Sequence, residues 1–355
     1  MRSIRIHASR VYDVMIGEGL LQESGRILRD LLPASQAALV SDDRVFSFYG
    51  EQLKRSLEDA GFLTHCFIFP HGEASKNLTV YGQLLNFLSE KKLTRSDCII
   101  ALGGGVTGDL AGFAAATFLR GIDYVQVPTS LLAAVDSSVG GKTAVDLPGG
   151  KNQAGAFCQP AAVLFDPAVL RSLPIEEYRA GAAEVIKYAV LGNSDFFGSL
   201  EQTPIAGQLE DAVSVCVSMK RDLVEKDEYD RGDRMLLNFG HTMGHAAELI
   251  SGYTLLHGEA VAMGMAHVTR AAERRGICEK GSAARLVRLL KQYELPTEIP
   301  YPAELLSAAV LSDKKRSGST VRLIVPERIG QTVILPVSAN ELPGWISGGY
   351  EGGLS

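Results

Sequence analysis

Short apolar, β-branched runs alternate with longer amphipathic stretches over about the first 170 residues. This alternation predicts βα units and a mostly parallel sheet. Two earlier runs, Ser3–His7 and Tyr12–Ile16, predict a small hairpin. The candidate strands are Ala37–Ser41, Thr64–Phe69, Cys98–Leu102, Tyr124–Val127 and Val163–Phe165, and the candidate helices are Phe46–Ala60, Asn77–Lys91 and Val106–Phe118.

The strand pattern largely ends after Arg171–Pro174, and helical periodicity then continues to about residue 310. We therefore predict an α/β domain over residues 1–173 and a mostly α-helical domain over residues 174–355. Within the second domain, Thr320–Pro326 and Gln331–Leu335 predict one short hairpin. The glycine-rich stretch Gly348–Gly353 predicts a loose tail.

Composition narrows the classes of function. The 355 residues include 41 acidic and 35 basic side chains, and a net charge of −6 leaves no footprint for nucleic acid or an anionic membrane. Five widely spaced cysteines, with no C-x-x-C pair, are typical of reduced thiols. With neither a signal-peptide pattern nor an apolar run near the ~18 residues of a membrane span, we expect a cytoplasmic protein.

A glycine-rich turn, Gly103-Gly104-Gly105-Val106-Thr107-Gly108-Asp109, follows an apolar run and precedes a helical stretch. Such a turn lets the backbone and a helix N-terminus approach a pyrophosphate, but a tight turn that binds nothing has the same pattern. Because other strands come earlier, a ribose contact is expected from elsewhere, and Asp42 is the candidate. Asp42 could equally cap the following helix. The segment Gly140–Thr143 is not a Walker loop, because Asp136 occupies the position of its required glycine.

Three of the seven histidines lie close together in the helical half. His241 and His245 are four residues apart and would share a helix face, and His257 follows sixteen residues after His241. Glu184 lies in an otherwise apolar helical pattern, where an uncompensated charge would be costly. Two imidazoles and one carboxylate are a known ligand set for a catalytic divalent ion. The alternatives are ordinary structural histidines and an ion pair between Glu184 and a nearby lysine.

Basic residues accompany these motifs. The turn Leu147–Gln153 presents Lys151 and Asn152 together, which suits recognition of a phosphate or a carboxylate. Single surface lysines are ordinarily solvated, so the set matters more than any member. Together with the metal and dinucleotide patterns, this set of basic residues indicates a small polyanionic substrate with an oxidisable hydroxyl. The other members are Arg120, Lys142, Lys187, Lys220 and Arg234.

The order of these motifs resembles that of the 3-dehydroquinate synthases, in the sugar-phosphate cyclase group. The resemblance implies a Rossmann-like α/β domain that binds NAD, a helical domain that binds metal, and an active site with residues from both. Two departures are mild, since Asp230 replaces a common glutamate and Ser130 a frequent threonine. The resemblance runs from about residue 3 to about residue 335 and rests on Gly103–Asp109, Phe118–Gly121, Val127–Ser130, Asp136–Thr143, Gly150–Asn152, Ala183–Lys187, Asn238–His245 and His257–Ala260.

The resemblance also implies roles for individual residues. The metal ligands, for one zinc or cobalt ion, would be Glu184, His241 and His257. The NAD contacts would be Asp42, Glu73, Lys76, Gly104, Gly105, Val106, Asp109, Thr129, Ser130, Asp136, Lys142, Lys151, Ser172 and Leu173. The substrate contacts would be Arg120, Lys142, Lys151, Asn152, Lys187, Lys220, Arg234, Asn238, His245 and Lys314, with Lys315 and Arg316 as neighbours that could replace Lys314.

The implied reaction is a phosphate-eliminating, lyase-type step of the shikimate pathway to aromatic amino acids. It converts 3-deoxy-D-arabino-heptulosonate 7-phosphate to 3-dehydroquinate through transient oxidation by NAD, phosphate elimination, reduction and intramolecular aldol closure. The family also implies a homodimer. Three alternatives stay open: a cyclase that makes a valiolone or an inosose, a metal-dependent polyol dehydrogenase, and a catalytically silent NAD-binding protein. Related cyclases tend to alter His245, Lys220 and Arg234, which favours the first interpretation.

Overall fold

The structure is a computed structural model that describes residues 1–314 and 320–352, without the side chains of residues 312–314. The chain divides into two compact units. Unit 1 contains Met1–Pro174 and Val213–Tyr229, and unit 2 contains Ile175–Ala212 and Asp230–Ser355. The segment Val213–Tyr229 thus groups with unit 1, whereas the sequence division after residue 173 assigns it to the C-terminal domain.

Unit 1 is built on a seven-stranded sheet with the order β1-β2-β9-β6-β5-β3-β4, and β7 and β8 form a separate hairpin. In the large sheet, β1 and β2 pair antiparallel, and the other neighbouring strands pair parallel. The predicted strands, first hairpin and mostly parallel sheet are confirmed. The strands are β1 (Arg2–His7), β2 (Val11–Ile16), β3 (Gln36–Asp42), β4 (Leu63–Phe69), β5 (Cys98–Gly103), β6 (Asp123–Pro128), β7 (Lys142–Leu147), β8 (Gly150–Phe157) and β9 (Ala162–Phe165).

The central strands are continuous apolar runs because helices shield the sheet. Strand β5 is buried along its whole length, as expected for a parallel strand covered on both faces. A π-helical turn at Phe46–Gly50 joins the second and third helices. The helices of this region are α1 (Leu20–Leu31), α2 (Asp43–Val45), α3 (Glu51–Asp59), α4 (Leu78–Glu90) and α5 (Gly105–Thr117). Leu84 and Leu88 of α4 and Leu110 and Ala114 of α5 form one buried cluster with the sheet.

Unit 2 is mostly helical, as predicted, and its second hairpin is confirmed by the pairing of β10 with β11. Helix α10 is buried along most of its length and packs against α6, α9 and α11. The elements are α6 (Ile175–Gly192), α7 (Ser194–Gln202), α8 (Leu209–Lys226, which continues into unit 1), α9 (His241–Ile250), α10 (His257–Arg274), α11 (Ser282–Gln292), α12 (Ala303–Lys314), β10 (Thr320–Arg328), β11 (Gln331–Ser338) and α13 (Leu342–Ser347).

Small residues allow three helices of unit 2 to approach closely. A Cβ atom at Gly244 of α9 would lie 2.8 Å from the carbonyl oxygen of Ala260 on α10. At Gly258 of α10 it would collide with the backbone of Ala180 on α6. A side chain at either position would therefore push these helices apart, because packed interiors have little room to adjust.

Two local predictions differ from the structure. The turn predicted at Leu147–Gln153 is the tip of the β7–β8 hairpin, whose strands carry too many polar and glycine residues for a strand pattern. The prediction of a loose tail was wrong at its beginning, because Arg274 donates hydrogen bonds of 2.7 Å to the carbonyl oxygens of Gly348 and Tyr350.

In the part of the chain that the structure describes, every helix is too short or too polar to cross a membrane.

Candidate functional site

The residues proposed as metal ligands come together within unit 2. Glu184 lies in the middle of α6, and His241 and His257 are the first residues of α9 and α10. One donor atom from each of the three lies within 4.8 Å of the others. Because these residues begin or lie inside tightly packed helices, the helix backbones fix their positions.

The carboxylate of Glu184 divides its two oxygens between different partners. Oε2 lies 2.5 Å from Nζ of Lys187, one helical turn along α6. Oε1 faces the imidazoles, at 3.5 Å from Nε2 of His257 and 3.7 Å from Nε2 of His241. The ion pair that was the alternative to a metal ligand is therefore present, but it engages only one carboxylate oxygen.

The two imidazoles orient in the same way. Nδ1 of His241 lies 3.1 Å from the carbonyl oxygen of Phe239, and Nδ1 of His257 lies 3.3 Å from Oε1 of Glu248. Nε2 of each ring is therefore the nitrogen directed towards Glu184. A neutral imidazole with hydrogen on Nδ1 presents a lone pair at Nε2, which is the form that binds a metal.

Burial and neighbouring charges move the pKa values of these rings in opposite directions. Burial and the nearby Lys187 ammonium lower the pKa of His241 well below its usual value, and Glu184 only partly compensates. Burial also lowers the pKa of His257, but hydrogen bonds to Glu184 and Glu248 outweigh it and raise that pKa to about 9. Strongly shifted groups gathered in one place are typical of a functional site.

The other predicted residues of unit 2 lie on α9 or on elements that pack against α6 or α9. His245 is exposed, and its ring centroid lies 5.2 Å from that of His241 and 5.9 Å from that of His257. Arg234 and Asn238 belong to one short 3-10 helix, Asp233–Asn238, in which Arg234 is buried. Lys314 ends α12, but its side chain and all of Lys315 and Arg316 lie outside the described residues.

In unit 1, the glycine turn and Asp42 lie at one edge of the sheet. Ser41 and Leu102 are register partners, so Asp42 and Gly103 end neighbouring parallel strands, β3 and β5. The chain leaves β3 towards β4 on one side and leaves β5 towards β6 on the other. Strand order thus reverses between β3 and β5, which is where open α/β sheets bind ligands.

The residues of this edge have definite local roles. Gly104 is the N-cap of α5, whose first residues are Gly105 and Val106. Oδ1 of Asp42 accepts a hydrogen bond of 2.8 Å from the backbone of Val45, so the capping role is present. That cap involves one carboxylate oxygen and leaves the ribose role open. Burial raises the pKa of Asp42 above its ordinary value.

An ion pair between buried Lys76 and Asp109 lies near the tip of the β7–β8 hairpin in unit 1. Nζ of Lys76 lies 2.6 Å from Oδ2 of Asp109 and donates a 2.6 Å hydrogen bond to Oδ1 of Asn152. Burial lowers the pKa of Lys76, but the negative charges of Asp109 and Glu73 together raise it by more. The pKa of Lys76 therefore lies above its ordinary value. Lys151 lies 3.7 Å from Glu73. Five predicted residues are therefore brought together here.

A second contact joins two predicted residues of unit 1. Nζ of Lys220, on α8, lies 2.7 Å from the carbonyl oxygen and 3.0 Å from Oδ1 of Asp136. Lys220 is buried. A predicted substrate residue and a predicted cofactor residue therefore contact each other directly.

The remaining predicted residues of unit 1 are more dispersed. Thr129 and Ser130 follow β6 directly, and the backbone of Thr129 donates to the carbonyl oxygen of Gly103. The hydroxyl of Ser172 accepts a 2.7 Å hydrogen bond from the hydroxyl of Tyr49, and Leu173 is the next residue. Arg120 and Lys142 are exposed. Among the described residues, no hydrogen bond or ion pair joins Arg120 to Lys76, Asp109 or Asn152.

Sequence reasoning missed two polar residues at these places. Glu248, which contacts His257, lies three residues after His245 and seven after His241 on α9, so helical spacing could have revealed it. Asp146 accepts a 2.7 Å hydrogen bond from the backbone of Asn152. The contact between Asp146 and Asn152 depends on the register of the β7–β8 hairpin, which the sequence does not show.

Comparisons with known proteins match both halves of the chain to one family. The family described as 3-dehydroquinate synthase N-terminal matches residues 66–180, and the one described as 3-dehydroquinate synthase C-terminal matches residues 181–316. A curated 3-dehydroquinate synthase from Streptococcus suis (strain 05ZYH33) is 44% identical over 338 residues, covering 93% of this chain and 95% of that relative.

Solved structures of related cyclases have the same fold. A 2-deoxy-scyllo-inosose synthase, complexed with carbaglucose-6-phosphate, NAD+ and Co2+, superimposes with a TM-score of 0.86 at 27% identity, covering 98% of this chain and 100% of that one. A 2-epi-5-epi-valiolone synthase from Streptomyces hygroscopicus subsp. jinggangensis 5008, with NAD+ and Zn2+ bound, gives 0.86 at 26% identity and covers 97% and 98%. Full-length sequence similarity is much higher to the first relative than to these two cyclases, and the chain belongs to the 3-dehydroquinate synthase family.

Proposed function

We infer that this chain is an NAD- and divalent-metal-dependent lyase that converts 3-deoxy-D-arabino-heptulosonate 7-phosphate to 3-dehydroquinate and phosphate. The observation that carries the inference is the buried convergence of Glu184, His241 and His257 in a chain of this family. The 44% identity to a 3-dehydroquinate synthase, against 27% and 26% to the inosose and valiolone synthases, supports this reaction over those cyclizations.

The donor set of unit 2 fits one zinc or cobalt ion. Two Nε2 atoms and Oε1 of Glu184 converge, and each imidazole is already held through its Nδ1. Two imidazoles and a carboxylate are a common catalytic set that leaves a coordination position for substrate. We propose Glu184, His241 and His257 as the protein ligands.

The edge of the sheet in unit 1 fits NAD. The N-terminus of α5 presents backbone N–H groups that would hold the pyrophosphate, and Asp42 at the end of β3 would accept hydrogen bonds from a ribose. The Lys76–Asp109 pair would fix the adjacent hairpin and the position of Asn152. We propose that the other NAD residues that the family implies act at this edge.

When bound, NAD would accept and return a hydride, and the metal ion would stabilise negative charge on a substrate oxygen. The residues of the chain would bind the substrate and orient it. Lys151 and Asn152 would hold the phosphate group, with Arg120 and Lys142 as further cations. Lys187 and Arg234, both buried, would hold the carboxylate and hydroxyls of the substrate. His245, exposed beside the two ligand rings, would transfer protons.

The decisive experiment supplies the heptulosonate phosphate with NAD and zinc or cobalt. We expect released phosphate in equal amount to 3-dehydroquinate, with no net NADH, because the hydride is returned. A valiolone or inosose product would contradict the specificity, and accumulation of NADH without phosphate would indicate a polyol dehydrogenase. A purified protein with neither metal nor turnover would indicate a silent NAD-binding protein.

Removal of the metal provides an independent test. A chelator should abolish turnover, and zinc or cobalt should restore it, because the ion that Glu184, His241 and His257 would hold would stabilise negative charge on the substrate oxygen. Activity that persists in a sample shown by elemental analysis to be free of metal would overturn the proposed role of the ion.

We also propose a cytoplasmic homodimer, as membership of the family implies. Light scattering on the purified protein tests the assembly, with a mass of twice the 38.1 kDa chain expected. A mass of one chain at micromolar concentration would contradict the dimer.

A further inference from the structure

Glu248 is a buried acid beside the proposed metal ligands. It lies on α9, and only 3% of its surface is exposed. Its Oε1 is 3.3 Å from Nδ1 of His257. Its own carbonyl oxygen accepts hydrogen bonds from the backbone of Tyr253 and the hydroxyl of Ser251, in the loop that leads to α10. Glu248 thus holds both the ring of His257 and the segment that precedes it.

The two imidazoles have equivalent outer partners. His241 uses the carbonyl oxygen of Phe239, which is a backbone atom, and His257 uses the side chain of Glu248. A histidine that binds a metal through one nitrogen usually donates its other N–H to a carbonyl or a carboxylate, which fixes the tautomer and raises the basicity of the ligand. The acceptor at His257 can be removed by substitution because it is a side chain, whereas the acceptor at His241 is a backbone atom.

We propose that Glu248 is a positioning residue for the metal site. It keeps the hydrogen of His257 on Nδ1, directs Nε2 towards Oε1 of Glu184, and so sets the affinity for the ion. This proposal rests on the metal site of the proposed function. It requires no direct contact between Glu248 and the ion.

A competing arrangement can be stated from the same atoms. Donor atoms of His245, Glu248 and His257 also lie within 4.8 Å of one another, so Glu248 could bind a second cation directly. The two arrangements differ in stoichiometry. A positioning role predicts one zinc ion per chain, whereas a ligand role predicts two, with one of them lost when Glu248 is replaced.

The test compares Glu248→Met with Glu248→Gln. Both replacements are close in volume to glutamate, but only glutamine retains an oxygen that can accept from Nδ1 of His257. Zinc affinity is measured on metal-free protein by competition with a chromophoric chelator, and the visible spectrum of the cobalt-loaded protein reports the geometry of the ligands. We expect Glu248→Met to weaken zinc binding by about 10- to 100-fold, and Glu248→Gln to weaken it less.

Glu259→Met is the matched control. Glu259 lies in the first turn of α10, and its carboxylate accepts a 3.1 Å hydrogen bond from the backbone of Leu256 rather than from an imidazole. Loss of this cap should lower the Tm of the metal-free protein while zinc affinity and the cobalt spectrum stay as in the unmodified protein.

The proposal would be overturned by a zinc affinity in Glu248→Met equal to that of the unmodified protein, by an equal loss in Glu259→Met, or by two zinc ions per chain. Equal losses in Glu248→Met and Glu248→Gln, with equal falls in Tm, would also overturn it by indicating a packing role. These measurements use no substrate, so a chain that binds one zinc ion without turning over would contradict the proposed reaction and leave the role of Glu248 intact.

Discussion

Two histidines on one helix have opposite chemical environments. His257 begins α10, and His267 lies ten residues further along the same helix. Burial lowers the pKa of both rings. At His257, hydrogen bonds to Glu184 and Glu248 reverse the shift and raise the pKa to about 9. At His267, burial prevails, with Arg270 and Arg274 adding to it, and the pKa falls to about 4.

The difference shows that the charged groups next to a histidine, rather than its burial, decide whether it can bind a cation. His267 packs against Tyr350, with ring centroids 4.9 Å apart at 86°, and its Nε2 is buried with no hydrogen bond to the described residues. No carboxylate is among the groups that set its pKa. His257 faces two carboxylates, so a positive ion at its Nε2 is electrostatically favoured.

The largest expected effect is on turnover. His257→Ala or Glu184→Ala removes a proposed ligand, and several kcal/mol of stabilisation by the ion would be lost, which corresponds to roughly 10³-fold or more in rate. His267→Leu is the matched control on the same helix and should retain zinc at neutral pH. Steady-state rates and metal content of the purified variants provide the measurement. Near-normal activity of either ligand variant would refute the assignment.

An intermediate effect is expected on stability in acid. The unfolded chain protonates His267 near pH 6.5, whereas the folded protein does so only near pH 4, so the unfolded state binds more protons between these values. Stability that is present above pH 6.5 is therefore lost as pH falls towards 4, by about 2–3 kcal/mol from this ring. Urea unfolding of the protein and of His267→Leu, at pH 7.5 and 4.5, should show a smaller loss in the variant. Equal losses would contradict the shift.

The smallest expected effect concerns the tail. Tyr350 covers His267, and its hydroxyl donates to the carbonyl oxygen of Tyr301 at 2.5 Å. Tyr350→Ala should admit water and raise the pKa of His267, as followed by NMR titration of its ring proton. Tyr350→Phe keeps the ring and should leave that pKa unchanged, while it costs about 1 kcal/mol for the lost hydrogen bond. Equal shifts of the His267 pKa in Tyr350→Ala and Tyr350→Phe would contradict the prediction that the ring of Tyr350 keeps water from His267.

Much of the fold could be predicted because its signals are local. The central strands are continuous apolar runs, and the helices repeat their apolar residues at helical spacing, so their positions agree with the structure. The β7–β8 hairpin was missed because its exposed positions and those around its tip carry lysine, asparagine, glutamine and glycine, which mimic an anion-binding turn. Hairpin pairing is a relation between residues that no single run reveals.

The candidate site was only partly predictable for a similar reason. The histidine cluster is visible in sequence, yet the division of the Glu184 oxygens between Lys187 and the imidazoles depends on the crossing of three helices. Asp42 has both a capping geometry and a position at the reversal of strand order, and sequence alone could not combine them. The tail was predicted to be loose because its contacts with α10 join residues that are distant in sequence.

The divided carboxylate of Glu184 has a consequence for coordination number. Lys187 occupies Oε2, so Glu184 offers a cation one oxygen rather than a bidentate pair. Glu184, His241 and His257 would then offer a cation three donor atoms, so part of its coordination shell would be left to a small molecule. A vicinal diol, which offers two adjacent oxygens, would suit that open side of the site better than an isolated alcohol.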